Sequence, residues 1–386
     1  MVAAVRNNQS QSLRSVARQF RTSLSVVQRW VDWAADRPLE TVDWSGRQAG
    51  CRHSAKRTNR QVEEVVLEIR KCLREESSLG EYGTEAIHRE MAARGLKDIP
   101  SVRTLGRILE RCGVLDGRRR RRYQAPPSGW YLPEVAAGFA EMDSFDIIED
   151  LVIRGGQDVN VLTGISLHGG LCAAWPQAQI TAKFTVEALI SHWRKYGLPR
   201  YAKFDNDTVF QGAHQFTDSF GRVMRLCLSL QVTPVFAPPG RHGFQNEIES
   251  FNGRWQEKVW DRFQFAKRSD VVTQSQSYVT AYHGRHAERI AGAPPRRAFA
   301  KRWKLDLQAP LQGRVIYIRY TNEQGDATLL GRTWLASPVW SQRLVRAEVD
   351  LTQSEIRFYA LRRRDPHNHP LLSTHEYHAP KKPFSG

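Results

Sequence analysis

No two of the five cysteines, at positions 51, 72, 112, 172 and 227, form a C-x-x-C pair. That scatter excludes a Cys-rich zinc module and a disulfide framework, and it fits a reducing, cytoplasmic setting. There is no run of about 18 apolar residues, and the first ten residues turn polar after Val5, so neither a membrane span nor a secretory signal is expected. Acidic residues are outnumbered: 40 Asp and Glu face 57 Lys and Arg, a formal net charge of +17. An anionic partner follows, and nucleic acid leads because each neutralised phosphate releases condensed counterions; a merely basic protein is the alternative. The excess is concentrated early, with 25 Lys or Arg against 15 Asp or Glu through Gln124. At 386 residues the chain is too long for one ordinary core, and about two to four modules are expected. No internal repeat is visible.

Residues 12–34 read SLRSVARQFRTSLSVVQRWVDWA. Leu13, Val16, Ala17 and Phe20 keep helical spacing, and Leu24, Val27, Trp30 and Val31 resume it after a short polar break. Two short helices are predicted over a unit bounded at 1–45, with Ser23 capping the second and Ser25, Gln28 and Arg29 facing outward. This is a helix-turn-helix pattern, whose second helix enters the DNA major groove; an ordinary helical hairpin shares the periodicity. Arg21 and Thr22 stand where such turns usually carry glycine.

Helical spacing returns at Val62, Val65, Val66 and Ile69, over 84–93, and at Val102, Leu105, Ile108 and Leu109, giving a second, helix-turn-helix-like unit over 58–116. Its last helix starts after Pro100 and Ser101 and carries Arg103, Arg107 and Arg111 along one face, a stripe suited to phosphates or simply solvated. Arg118, Arg119, Arg120, Arg121 and Arg122 are consecutive and precede Gln-Ala-Pro-Pro-Ser-Gly. An Arg-rich, hinge-like linker over 117–135 is predicted, in contact with a DNA backbone or else a solvated tether.

From Ala140 the pattern changes to strands, EMDSFDII, VNVLTGISL and GLCAAWPQ, followed by a helix through Val186, Leu189, Ile190 and Trp193 that stops at Gly197-Leu198-Pro199. A strand over 201–204, a helix over 214–230, a strand over 232–236 and a long helix over about 246–263 complete a β-β-β-α-β-α-β-α order. Three strands in succession argue for an antiparallel meander and the β-α-β steps for parallel additions, so the unit over 136–290 is expected to be one mixed sheet flanked by helices. Short β-rich runs over 308–365, VIYIRY, TLLGRTW, RLVRAEVDL and EIRFYALRRR, suggest a small C-terminal β-barrel, and 366–386 a tail. The fold class is therefore multi-domain: all-α units, a central α/β core and a small barrel.

Three segments of the core offer carboxylates. Asp143 lies on the first strand, in Glu-Met-Asp-Ser-Phe-Asp. It is an odd number of positions from Asp146, so a regular strand points the two to opposite faces and only one joins a site. Asp205 follows the apolar end of a later strand, where open sheets place their ligands. On the long helix, Ile248, Phe251, Trp255 and Val259 mark the buried stripe. Glu249 sits at its edge, about 100° from Ile248, and Glu247 about 200° from Glu249, toward solvent or DNA. Gathered carboxylates repel one another and call for cations. Hard oxygen ligands suit Mg²⁺ or Mn²⁺, and two ions about 3.5 to 4 Å apart serve the attacking and leaving oxygens of an in-line phosphoryl displacement.

These stretches together resemble the insertion-sequence transposases of the retroviral integrase superfamily, the DDE transposases. The matching residues are Gly197-Leu198-Pro199, Phe204-Asp205-Asn206 with Phe210, Pro238-Pro239-Gly240-Arg241, and Asn246 with Glu249-Ser250-Phe251-Asn252. The core resemblance covers roughly 140–263, and the flanking layout extends it over nearly the whole chain. It implies a ribonuclease-H-like core and assigns the catalytic and metal-binding triad to Asp143, Asp205 and Glu249, with two Mg²⁺ or Mn²⁺ ions. Sixty-two residues separate the first pair and 44 the second, within the family's habit. Two departures stand out. Asp207 replaces the family's glycine after Asp-Asn, and Gln256 stands where a basic residue is usual, so that Arg254 and Lys258 are assigned to terminal DNA. The N-terminal His/Cys zinc unit of retroviral members is absent, which implies a mobile bacterial element and a cytoplasmic, nucleoid-associated protein.

The resemblance implies that the helical units bind the element's ends while the core cuts and joins DNA: a released 3′-hydroxyl attacks target DNA without a covalent protein intermediate. Two ends processed together imply a homo-oligomer on DNA; an accessory ATPase partner is left open. Two other readings are a domesticated, non-catalytic DNA-binding protein, favoured by Asp207, and a ribonuclease-H-like nuclease that cleaves without joining.

Overall fold

The apolar stripes of the first 45 residues close on one another as their spacing requires. In the computed structural model, which describes residues 1–7, 11–45, 58–115, 128–213, 216–240, 243–363, 365–380 and 384, the chain divides into two compact units, Met1–Val65 and Val66–Gly386. The first holds α1 (Val2–Asn7), α2 (Leu13–Gln19) and α3 (Leu24–Ala34). Val16, Ala17 and Val27 are buried together, and Val2, Ala34 and Val42 form a second small cluster. Ser12 caps α2, its hydroxyl accepting from the Ser15 amide. Arg21 adopts a left-handed φ of 48° in the turn, the conformation in which glycine is easier. Ser23 occupies the N-cap position of α3 but makes no capping bond; its hydroxyl lies 2.9 Å from that of Ser25 instead.

The division falls within α4 (Arg60–Glu76), which is followed by α5 (Thr84–Ala93) and α6 (Val102–Arg111). Ser101 caps α6 through the Thr104 amide. Arg70 reaches the carbonyls of Tyr82 and Val114 at 2.8 and 2.7 Å, which ties the connecting segments of this helical part together. The arginines at 118–122 lie outside the described residues.

After α7 (Pro133–Ala136) the chain builds β1 (Met142–Ile153), β2 (Gln157–Ser166), β3 (Cys172–Gln177), α8 (Ala182–Tyr196), β4 (Tyr201–Phe204), α9 (Thr208–Gln211), α10 (Arg222–Ser229), β5 (Thr233–Phe236) and α11 (Asn246–Trp255). The five strands and their antiparallel-then-parallel order are those expected. The helix expected over 214–230 is shorter, and α11 runs on into a π-helical turn, Gln256–Trp260. Next come α12 (Arg268–Arg285) and α13 (Ala287–Ala291), in an interval where no element was expected.

The sheet separates two apolar layers by strand parity. Phe145, Phe204, Phe236 and Tyr317 pack with Trp193 of α8 and with α10 on one face. Ile148, Val159, Val161 and Ile165 pack with Ile248, Phe251 and Trp255 of α11 and with α12 on the other. Each such fully buried large side chain contributes about 2–3 kcal/mol of transfer free energy, so both layers hold their helices firmly in place.

The C-terminal strands do not form the separate barrel expected of them. β6 (Arg314–Tyr320) pairs in parallel with β5, and β9 (Leu344–Asp350), β10 (Glu355–Ala360) and β11 (Leu371–Glu376) continue outward in antiparallel register. One nine-stranded sheet results, in the order β3-β2-β1-β4-β5-β6-β9-β10-β11, beside a two-stranded ribbon of β7 (Asp326–Leu329) and β8 (Arg332–Leu335). The reason lies in β6, where Val315 and Tyr317 join one layer while Ile316 and Ile318 join a third cluster with Val235 and Tyr131. A strand apolar at both parities belongs inside a sheet covered on both faces. The segment expected to be a tail supplies β11. Among the described residues no helix is long and apolar enough to cross a membrane.

Candidate active site

Strand parity decides between the two aspartates of β1. Asp143 shares the face of Phe145, against α8. Its buried carboxylate accepts from Trp193 Nε1 at 3.0 Å and pairs in bidentate fashion with Arg296, at 3.0 Å from Nη1 to Oδ1 and 2.5 Å from Nη2 to Oδ2. The Gly-Leu-Pro stretch makes this pairing possible. Gly197 ends α8 at φ 86°, where an added Cβ would come 3.0 Å from Arg296 Cβ, and Leu198 exchanges backbone hydrogen bonds with Arg297. Asp143 is thus committed to a buried ion pair. The carboxylate that the family resemblance assigned to the triad already has a buried counter-charge.

Asp146 shares the opposite face with Ile148, against α11. The β1–β4 ladder pairs Asp143 with Ala202 and Ser144 with Lys203, and two positions further along both chains Asp146 comes level with Asp205. Burial, then the Asp205 charge, and also that of Glu249, push the Asp146 carboxyl up to about 6, against the opposing hydrogen bonds of the Ile147 amide and Asn252. Asp146, Asp205 and Glu249 therefore share one field.

Asp205 closes an Asx turn by accepting from the Asp207 amide at 3.0 Å. Asn206 donates to the Ala237 carbonyl at 2.7 Å and accepts from Arg319 Nη2 at 2.9 Å, and Arg319 also donates to the carbonyls of Ala237 and Thr328. A guanidinium from β6 thereby fixes the turn that carries the second acid. Burial lowers the pKa of Arg319 to about 10. Asp207 is the N-cap of α9, its carboxylate accepting from the Val209 amide at 2.7 Å. Its φ of −60° asks nothing of glycine, so the substitution at this position leaves the turn undisturbed.

On α11 the expected stripe of Ile248, Phe251, Trp255 and Val259 is buried, and Glu249 is exposed at its edge. Asn252, one turn on from Glu249, donates to Asp146 Oδ2 at 2.8 Å, and the Thr163 hydroxyl donates to Asn252 Oδ1 at 2.7 Å. That bridge holds the Glu249 side of the helix toward β1. Asn252 belongs to the stretch that matches the family but is given no role there; its i, i+3 spacing from Glu249 is a further signal. Glu247 was expected to face solvent or DNA, yet it accepts from buried Lys203 Nζ at 3.2 Å.

The donor set suits a hard divalent cation. It consists of carboxylate oxygens alone, and a cation would offset both the burial and the Asp205 and Glu249 charges that raise Asp146. Among the described residues, no three His, Cys, Asp or Glu side chains are already drawn together as a ligand cluster.

The residues expected to meet DNA differ in their surroundings. Ser25, Gln28 and Arg29 are exposed on α3, with Gln28 bonded to Asp32 at 3.1 Å, and Arg103 and Arg107 are exposed on α6. Arg254 is exposed, with its Nε bonded to the Ser250 carbonyl and its guanidinium over the Tyr282 ring. Lys258 pairs with Glu257 at 2.9 Å and lies 5.3 Å above the Tyr82 ring, in the seam where Arg262 holds the carbonyls of Glu75 and Ser77. Its surroundings join the helical part of the second unit to α11.

No family model matches the chain, and none of the curated proteins does. Solved structures with some likeness include the HTLV-2 integrase catalytic core domain in complex with magnesium, at 11% identity over 42% of this chain and 88% of that one, with a TM-score of 0.26. A simian T-cell lymphotropic virus intasome in complex with PP2A regulatory subunit B56 gamma gives 11% identity, 71% and 88% coverage and a TM-score of 0.31. The catalytic core domain of BIV integrase gives 15%, 37% and 81%, and 0.27.

Proposed function

We propose that this chain is a metal-dependent polynucleotidyl transferase acting on DNA, and within that class a transposase. One observation carries the reading: Asp146 stands level with Asp205 while Asn252 turns the Glu249 side of α11 toward them. Asp146 and Asp205 hold the divalent cations, two Mg²⁺ or Mn²⁺ ions, and Glu249 completes the set. Bound there, such cations supply an activated nucleophile and charge neutralisation for phosphoryl transfer at neutral pH. Asn252 keeps one oxygen of Asp146 oriented, and the Asn206–Arg319 contact keeps the Asp205 turn in place. With Asp207 accounted for as a helix cap, the feature that favoured a non-catalytic protein carries no weight.

The DNA-binding roles belong to the same proposal. Ser25, Gln28 and Arg29 present polar groups suited to base edges, while Arg103, Arg107, Arg254 and the arginines at 118–122 supply cations for phosphates. Element ends and target DNA are the partners, and a homo-oligomer assembles on them.

The test mixes purified protein, a labelled element end, plasmid target and Mg²⁺ or Mn²⁺. Wild type is expected to join strands, and Asp205→Asn to lose at least about a hundredfold while still shifting DNA. Joining undiminished in the variant removes Asp205 from the chemistry. Cleavage without joining by the wild type replaces the transposase with a nuclease.

A further inference from the structure

Lys203 is 1% exposed and lies two residues before Asp205 on β4. Its ammonium donates to the Phe244 carbonyl at 2.7 Å and to Glu247 Oε2 at 3.2 Å, and it lies 6.0 Å from the Tyr131 ring centroid. Burying an ammonium costs more than burying an apolar side chain of similar size, and an apolar residue would fill this strand position as well. The charge gains something that packing does not supply, namely a reach from the strand of the second acid to the start of the helix of the third. Phe244 immediately precedes the N-cap residue Gln245, and Glu247 is two residues before Glu249. Gln245, at the N-cap position, makes no side-chain capping bond. Ile248, Phe251 and Trp255 seat one face of α11 in the apolar layer, and Lys203 adds a polar hold on the first turn through Glu247 and on the residue just before the N-cap through the Phe244 carbonyl.

We propose that Lys203 and Glu247 are a positioning pair that sets the placement of Glu249 relative to Asp205, and through it the affinity of the acid site for a divalent cation. The inference rests on the reading of Asp146, Asp205 and Glu249 as that site. Neither partner is among the carboxylates proposed to hold the cation.

The pair can be told from a pair of bystander charges, because the two single variants then shift binding in opposite directions. Losing a positive charge near the acids tightens cation binding by field alone, and losing a negative charge weakens it. Losing the tether weakens binding in both cases. The experiment titrates the full-length protein with Mn²⁺, read by electron paramagnetic resonance, for wild type, Asp205→Asn, Lys203→Met, Glu247→Gln and Lys203→Met/Glu247→Met, with circular dichroism to follow folding. Lys203→Met and Glu247→Gln are each expected to weaken Mn²⁺ binding about tenfold, as the loss of an outer contact to a metal site does. The double variant keeps net charge, replaces the pair by apolar groups, and is expected to weaken binding equally; it decides the matter if Lys203→Met alone does not fold. Unchanged affinity in the folded double variant, or opposite shifts in the two singles, overturns the proposal. Wild-type Mn²⁺ binding that Asp205→Asn leaves intact overturns the site reading itself, and this inference with it.

Discussion

The carboxyl of Asp146 is pushed up to about 6 because it is buried and shares its surroundings with Asp205 and Glu249. An acid raised in the folded state binds its proton more tightly there than in the unfolded chain, whose ordinary value is 3.8. The stability this contributes is fully present below the unfolded value and is lost as pH rises through about 6. The metal-free protein is therefore expected to melt at progressively lower temperature across that window, and Asp146→Asn to flatten the slope. Thermal melts of the two proteins in chelator check this; identical slopes contradict it. Bound Mg²⁺ or Mn²⁺ favours the ionised form and is expected to reverse the trend in wild type.

At the scale of elements, the central strands and helices were legible because period-2 and period-3.6 patterns are local properties of the chain. Partners are not local. The run VIYIRY announces a strand, but only its apolar character at both parities, Val315 and Tyr317 on one side and Ile316 and Ile318 on the other, marks it as interior to a larger sheet. The same limit governed the site. That Asp143 and Asp146 face opposite ways follows from the strand's period; which face meets α11 depends on tertiary packing, and Ile148 in the α11 layer reveals it. Because β6 completes β5, and Arg319 on β6 holds Asn206, the C-terminal strands belong to the core. A chain ended at residue 307 would expose the β5 edge and the apolar faces that β6, β9 and β10 cover. It is expected to show no cooperative melt and to aggregate. A soluble, cooperatively folding fragment would restore the picture of a detachable barrel.

For the whole molecule, a net charge of +17 and exposed cations on α3 and on α6 are what the proposed DNA partner calls for, and the nine-stranded sheet carries the acids of the proposed site. On the proposed reading, a divalent ion held by the acids would offset their repulsion and would supply positive charge for a phosphate. The account turns on which aspartate of β1 belongs to that cluster. Its most direct test compares Asp146→Asn with Asp143→Asn in metal-dependent DNA cleavage, with melting followed in parallel. Asp146→Asn is expected to fold and to lose cleavage. Asp143→Asn is expected to leave Arg296 without its counter-charge and to lose about 3–5 kcal/mol of stability, yet to cleave when assayed below its melting temperature. A folded Asp143→Asn protein that cannot cleave, beside an Asp146→Asn protein that can, would contradict the account.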